Sequence, residues 1–288
     1  MSLLWGIPYL FIRIAVMQVS PTTLVFTRTG TAALILLPFA LHRGGLAAVL
    51  RRWPPLVAFA VIEIAVPWLL LANAERTISS SMSGLLVSTV PLVATVVAIT
   101  RGDREGIRPM ALGGLLLGLV GVAAIAGFDI RGPSLPAVVE MAGVVICYAV
   151  GPVILARFLG DLPGLNVMAA TLALCAIGYT PVFLLQLPHA VPSVAALGSI
   201  AVLSVFCTAL AFVVFSALVN EIGPVRATVI TYVNPAVAAA LGLSVLHEIL
   251  TPAMILGFLL VLAGSGLATR RAPLPNTKQE PVVTSRTC

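Results

Sequence analysis

An all-α polytopic membrane protein, with ten transmembrane helices arranged as two inverted five-helix repeats, is the fold class this sequence predicts. Three observations predict it. Of 288 residues, 60% are hydrophobic and 9% charged, whereas the water-facing surface of a soluble domain needs far more charge. Apolar runs near the ~20 residues that cross a hydrocarbon core recur along the whole chain. Finally, Val219 to Arg271 reads as a second copy of Glu75 to Gly127, displaced by 144 positions without a gap.

The ten segments run Ser2 to Val19, Thr22 to Leu41, Pro55 to Asn73, Ser79 to Thr100, Pro109 to Gly127, Ala137 to Arg157, Val167 to Leu185, Val194 to Leu218, Pro224 to Leu246 and Pro252 to Ala268. The first has no basic residue ahead of its apolar run and holds Arg13 within it, so it is expected to be a span and not a signal peptide. The connections are short and leave no room for an inserted soluble domain. Residues 1–130 form the first five-helix repeat and 134–271 the second. The end, 272–288, lacks a periodic apolar pattern and is expected to be a disordered cytoplasmic tail.

Duplication rests on matched breakers. Pro91 falls on Pro235, Gly113 on Gly257, and Leu115-Leu116 on Leu259-Leu260. Orientation rests on basic residues, whose excess marks the cytoplasmic side. With a cytoplasmic N-terminus, the inner side receives Arg43, Arg51, Arg52, Arg101, Arg104, Arg108, Arg157, Arg226, Arg270, Arg271, Lys278 and Arg286, and the outer side only Arg76 and Arg131. Both termini are therefore expected in the cytoplasm. Five spans per half is an odd number, so the second half enters the membrane from the opposite side. Internal repeats with interrupted helices at matching positions point to a transporter whose site lies between the halves.

Other classes fit less well. Cys147, Cys175 and Cys207 lie inside apolar segments and Cys288 is the last residue, which offers neither a disulfide framework nor a metal spacing. The net charge of +6 is scattered between apolar segments and forms no basic stripe for nucleic acid. His247-Glu248 begins like a zinc-protease motif, but position 251 is Thr251. No G-x-x-x-x-G-K-[ST] loop is present to hold ATP, and no cofactor is expected.

Depth singles out candidate residues. At about 1.5 Å per residue, Glu63, Pro91, Tyr148, Asn234 and Pro235 fall roughly 12 to 17 Å from the nearest span edge, and Arg13 and Arg28 roughly 9 Å. An ionised carboxylate at the depth of Glu63 costs at least ~2.5 kcal/mol unless a partner or water relieves it. Glu63 is thus a protonatable coupling or amine-binding site, or else a neutral carboxyl or ion-pair partner that holds helices together. Arg28 and Arg13 suit a carboxylate or phosphate through the guanidinium fork, or snorkel to the outer surface. Glu140 is a candidate partner for either. Pro91 and Pro235 free a carbonyl four residues earlier and serve as hinges or static kinks. Ser81 and Gly84 suit close helix packing, whereas Asn234 needs a partner for its amide and is placed facing the cavity. Trp68 and Tyr148 are candidates to stack on substrate, while Trp5 and Trp53 suit interfacial anchoring.

In order along the chain stand Trp5-Gly6, Phe26-Thr-Arg28-Thr-Gly-Thr-Ala32, Ala74-Glu75 with Ile78-Ser79-Ser80, Leu85-Leu86 with Val90-Pro91-Leu92, Thr208-Ala-Leu-Ala-Phe212, Gly223-Pro-Val-Arg-Ala227, Tyr232-Val-Asn-Pro235, Leu246-His-Glu248 and Gly257. In this order and spacing the chain resembles the EamA-type drug/metabolite transporters. The resemblance covers nearly the whole chain. It implies ten helices in two inverted repeats, a central cavity, and export of small metabolites or drugs across the cytoplasmic membrane. Within that reading the cavity residues are Glu63, Asn234, Arg28, Tyr148, Trp68 and Tyr232, and the hinges are Pro91 and Pro235. The partners expected are the bilayer, a small-molecule substrate of amino-acid-like or drug-like size, and a proton if transport is coupled. An uptake permease and a non-transporting membrane scaffold are the competing readings. The sequence sets neither substrate, coupling ion nor oligomeric state.

Overall fold

The computed structural model describes residues 1–102, 109–126, 135–186, 191–222 and 233–269, and these form helices joined by short turns, with no strand among them. Hydroxyl residues fix several helix starts. The side chains of Ser20, Ser79, Ser193 and Thr251 accept the backbone N–H three residues on, from Thr23, Met82, Ala196 and Met254. Each satisfies a donor that a helix start otherwise leaves unpaired. Pro21 and Pro252 follow two of these caps, where a missing N–H costs nothing.

The helices are α1 Ser2–Val16, α2 Pro21–Arg43, α3 Trp53–Ala74, α4 Ser80–Thr100, α5 Pro109–Ile125, α6 Leu135–Leu159, α7 Gly164–Leu185, α8 Val194–Leu218, α9 Asn234–Val245 and α10 Pro252–Ala268. Of these, α2, α3, α4, α6, α7 and α8 are long and apolar enough to cross a membrane, and the other four are shorter apolar helices. Residues 224–232, expected to begin the ninth span Pro224 to Leu246, lie outside the described residues. A separate short helix, Leu46–Arg51, joins α2 to α3.

The bundle turns its apolar side chains outward as well as inward. Leu34, Leu116, Ile177 and Leu259 are all more than half exposed, which suits contact with lipid tails. Apolar burial therefore cannot drive these helices together in a bilayer, and close packing of small residues does that work. It is clearest between α5 and α10. A methyl added at Gly121 would stand 2.6 Å from the backbone oxygen of Gly257, and one at Gly114 2.6 Å from that of Gly264. No side chain larger than hydrogen fits there.

The principal pairings are α5 with α10, α2 with α7, and α4 with α9, together with α3 against α6 and α1 against α8. Exchanging every helix with the one five places along reproduces this set. The turns after α1, α3, α7 and α9 meet at one end of the bundle, where Ser193 N donates to Gln18 Oε1 at 2.8 Å and Glu248 receives the start of α4. At the other end Arg52 makes a two-pronged ion pair with Asp161, at 2.6 and 2.7 Å.

Candidate functional site

Three helices carry a widened π turn among the described residues, Ala60–Ala65 in α3, Leu155–Leu159 at the end of α6 and Val205–Leu210 in α8, and those of α3 and α8 lie at corresponding places in the two halves of the chain. Such turns insert a residue into the helical ladder and recur at functional sites. The groups they displace from normal pairing need other partners. In α3 these come from α7: Cys175 Sγ reaches the Ala60 carbonyl at 3.4 Å and Tyr179 OH donates to that of Ala65 at 2.9 Å. In α8, Thr208 Oγ1 donates to the Leu203 carbonyl at 2.8 Å and accepts from Arg28 Nε at 2.8 Å. The wide turns of α3 and α8 thus face α7 and α2, which pack on one another.

Arg28 is the charged group held by this arrangement. Only 6% of its surface is exposed, and its guanidinium lies 3.7 Å above the centroid of the Trp68 ring. Stacking on a ring face and one hydrogen bond hold the plane in position. The two terminal nitrogens have no hydrogen-bond partner among the described residues, so the fork that pairs with carboxylate or phosphate is unspent. Tyr148 of α6 packs against the Trp68 cluster and is within electrostatic reach of both Arg28 and Glu63. Arg28, Trp68 and Tyr148 therefore come together from α2, α3 and α6.

Glu63 lies inside the α3 wide turn, facing Gly151 of α6. A methyl added at Gly151 would fall on the Glu63 carboxyl, so the glycine is what makes room for it. Its Oε2 is buried and has no hydrogen-bond partner among the described residues. The wide turn re-phases α3 between Glu63, against α6, and Trp68, beneath the guanidinium from α2.

The remaining candidates are spread further. Asn234 opens α9, and its backbone oxygen is what a side chain at Gly6 of α1 would meet at 2.9 Å. Pro91 stands at the start of Val90–Thr100, where α4 breaks after Val87, and Pro235 stands at the start of α9. Tyr232 lies outside the described residues. Trp5 packs at a tilt of 46° against Phe215 of α8, with centroids 4.8 Å apart, instead of standing free at the interface, while Trp53 is 65% exposed. Gly84 leaves room for Ala238 of α9, as close packing requires. Arg13 donates to the backbone carbonyl of Glu75. Glu140 accepts from Asn73 Nδ2 at 2.5 Å and ion-pairs with neither Arg13 nor Arg28, because its helix brings it to the end of α3 instead.

A cavity of about 330 Å³ opens beside that last contact, lined by residues including Asn73, Arg76, Thr77 and Glu140. None of the depth-selected residues lines it. Two acids that depth did not single out also matter. Glu75 is fully buried, and Glu248 accepts four hydrogen bonds from Ser80 and Ser81. Both stand in the motifs Ala74-Glu75 and Leu246-His-Glu248, which was the one signal for them in the sequence.

A model described as "EamA-like transporter family" matches residues 1–127 and 135–270. The "Uncharacterized inner membrane transporter YedA" of Escherichia coli strain K12 is 27% identical over 246 residues, spanning 83% of this chain and 78% of that protein. The protein of the same name from E. coli O157:H7 matches with the same figures. A solved structure described only as "Crystal structure of protein" superposes with a TM-score of 0.68 at 21% identity, over 93% of this chain and 94% of that one. That likeness speaks to the fold alone.

Proposed function

Because the chain belongs to the EamA-like transporter family, we propose that it exports small metabolites or drugs by alternating access of two inverted five-helix repeats, 1–130 and 134–271. The protein is a multi-pass membrane transporter and not an enzyme. Its likeness to an inner-membrane transporter supports a place in the cytoplasmic membrane, and the excess of arginine on alternate loops supports cytoplasmic termini. The exchange symmetry of the helix pairings and the matching wide turns of α3 and α8 support the repeat.

The observation that carries the reading is the buried, unspent fork of Arg28 held by Thr208 and Trp68. A guanidinium so placed inside a membrane protein is expensive unless it serves a ligand. In this reading it takes a carboxylate or phosphate of the substrate. Trp68 and Tyr148 flank the rest of the molecule, Asn234 and Tyr232 contribute from the second repeat, and Glu63 carries the coupling proton. Pro91 and Pro235 are the hinges.

Proteoliposomes test this directly. Wild-type vesicles under an imposed pH gradient should concentrate a substrate found by its stabilising effect on the purified protein, which rises as RT ln(1 + [L]/Kd). Glu63→Gln should lose accumulation and keep binding and downhill exchange; accumulation that survives removes Glu63 from coupling. Pro91→Ala should slow turnover while leaving binding unchanged, and the opposite result makes the proline a shaper of the site. Cysteine labels near Arg51 should react only from the cytoplasmic face, and labels near Gly132 only from outside. Reaction of both from one face rules out the inverted arrangement.

A further inference from the structure

Glu75 follows the last residue of α3 and is 0% exposed, yet neither of its carboxyl oxygens has a hydrogen-bond partner among the described residues. The corner it opens, residues 75–81, is held at both ends. At one end the Arg13 guanidinium of α1 donates to the backbone carbonyl of Glu75 and not to its carboxyl. At the other, Glu248 accepts from the backbone N–H of Ser80 at 2.8 Å and of Ser81 at 2.9 Å, and from their hydroxyls at 3.1 and 2.6 Å.

The ionisable groups facing Glu75 are Tyr9 and Arg13 from α1, Arg28 from α2, and Glu248 from the turn before α10. None of them forms an ion pair with it among the described residues. Arg28 is engaged by Thr208 and Trp68, and Glu140, on the far side of the α3 end, is engaged by Asn73. Two carboxyls thus share one corner with opposite provision. Glu248 accepts from four donors, whereas Glu75 accepts from none among the described residues. A buried carboxylate without donors or a contacting cation costs several kcal/mol, and a neighbouring negative charge adds to that cost. A proton on Glu75 removes it.

We propose that Glu75 is a proton-binding site, distinct from Glu63, loaded while Glu248 clasps the start of α4 and emptied when that clasp opens and admits water to the corner. The ligand is the proton itself. It bonds to one carboxyl oxygen on loading and passes to water on release, leaving the carboxylate hydrated. The inference goes beyond the transport reading and needs no substrate to be known.

Infrared difference spectra of the full-length protein in lipid test it. At neutral pH the wild type should show the carbonyl band of a protonated carboxyl that Glu75→Gln loses and Glu63→Gln keeps. Weakening the clasp with Ser80→Ala and Ser81→Ala together should make the same band vanish at a lower pH than in wild type. A Glu75→Gln spectrum identical to wild type overturns the site, and a band indifferent to the serine changes overturns its link to the clasp. If Glu75→Gln does not fold, Glu75→Asp should move the band, and an unmoved band overturns the proposal equally. Because no substrate is present, failure here leaves the transport reading standing, and failure of transport leaves the proton site testable.

Discussion

The wide turns of α3 and α8 are the same backbone device filled with different chemistry. In α3 the carbonyls of Ala60 and Ala65 are taken by Cys175 and Tyr179 of α7, which leaves the Glu63 carboxyl in the turn without a donor on its buried oxygen. In α8 the turn presents a hydroxyl, Thr208, and the donor that reaches it from α2 is the cation Arg28. The scaffold is matched between the two places and the charge is not, since both Glu63 and Arg28 come from the first half of the chain. In the proposed duplication, the frame keeps matching backbone and small residues because both halves must pack. A single substrate has different groups at its two ends, so the lining is free to diverge.

The largest expected effect comes from removing the cation. Arg28→Ala should weaken binding of a small carboxylate by about 1.5 to 3 kcal/mol, roughly tenfold to a hundredfold, the usual worth of a hydrogen bond to a charged group. Arg28→Lys should restore part of that and no more, because an ammonium neither forks nor stacks as a guanidinium does. Titration of ligand-induced thermal stabilisation measures both. Equal affinity in Arg28→Ala would show that the two wide turns do not differ in the way argued.

Next is the room made for Glu63. Gly151→Ala places a methyl where the carboxyl sits, and overpacking of this kind costs about 1 to 3 kcal/mol. The variant should melt earlier in detergent, and Gly151→Ala combined with Glu63→Ala should recover most of the loss. Failure of the double variant to recover means that α6 and α3 are held apart by something other than the acid.

Smaller still is the effect of undressing the α3 turn. Tyr179→Phe deletes the donor to the Ala65 carbonyl and should cost about 1 kcal/mol, with faster amide exchange confined to the stretch around Ala60–Ala65. Exchange that rises evenly along α3 contradicts the local role.

The smallest effect serves as a control far from both turns. The exposed Asp161 carboxyl is held below its ordinary range chiefly by its hydrogen bonds from Arg52. A lowered value means the pair stabilises fully above the ordinary carboxylate range and loses its contribution as pH falls through the lowered one. The difference in melting temperature between wild type and Asp161→Asn should therefore be slight at neutral pH, shrink in salt, and vanish in acid. A gap that widens in acid reverses the sign.

The sequence by itself determined the class of the molecule and where its helices run, because composition and span length answer to the bilayer and not to the neighbours in the fold. Ser20, Ser79, Ser193 and Thr251 likewise announce helix starts locally, and Pro91 announces a break. Depth singled out Glu63, Arg28 and Tyr148, because a polar or charged group far from water is costly wherever it packs, while Trp68 was singled out as an aromatic able to stack. Their company was not legible. That Arg28 is met by Thr208, a hundred and eighty residues away, that Glu63 needs Gly151, and that Glu248 serves Ser80 and Ser81 while Glu75 goes without, depends on which helix faces enclose them. Nor do the wide turns of α3 and α8 show in the apolar pattern, since an inserted residue leaves composition unchanged and only re-phases the face beyond it. Hydropathy sees depth along one helix. Partnership between side chains is fixed by the packing of several, and only the tertiary structure decided that.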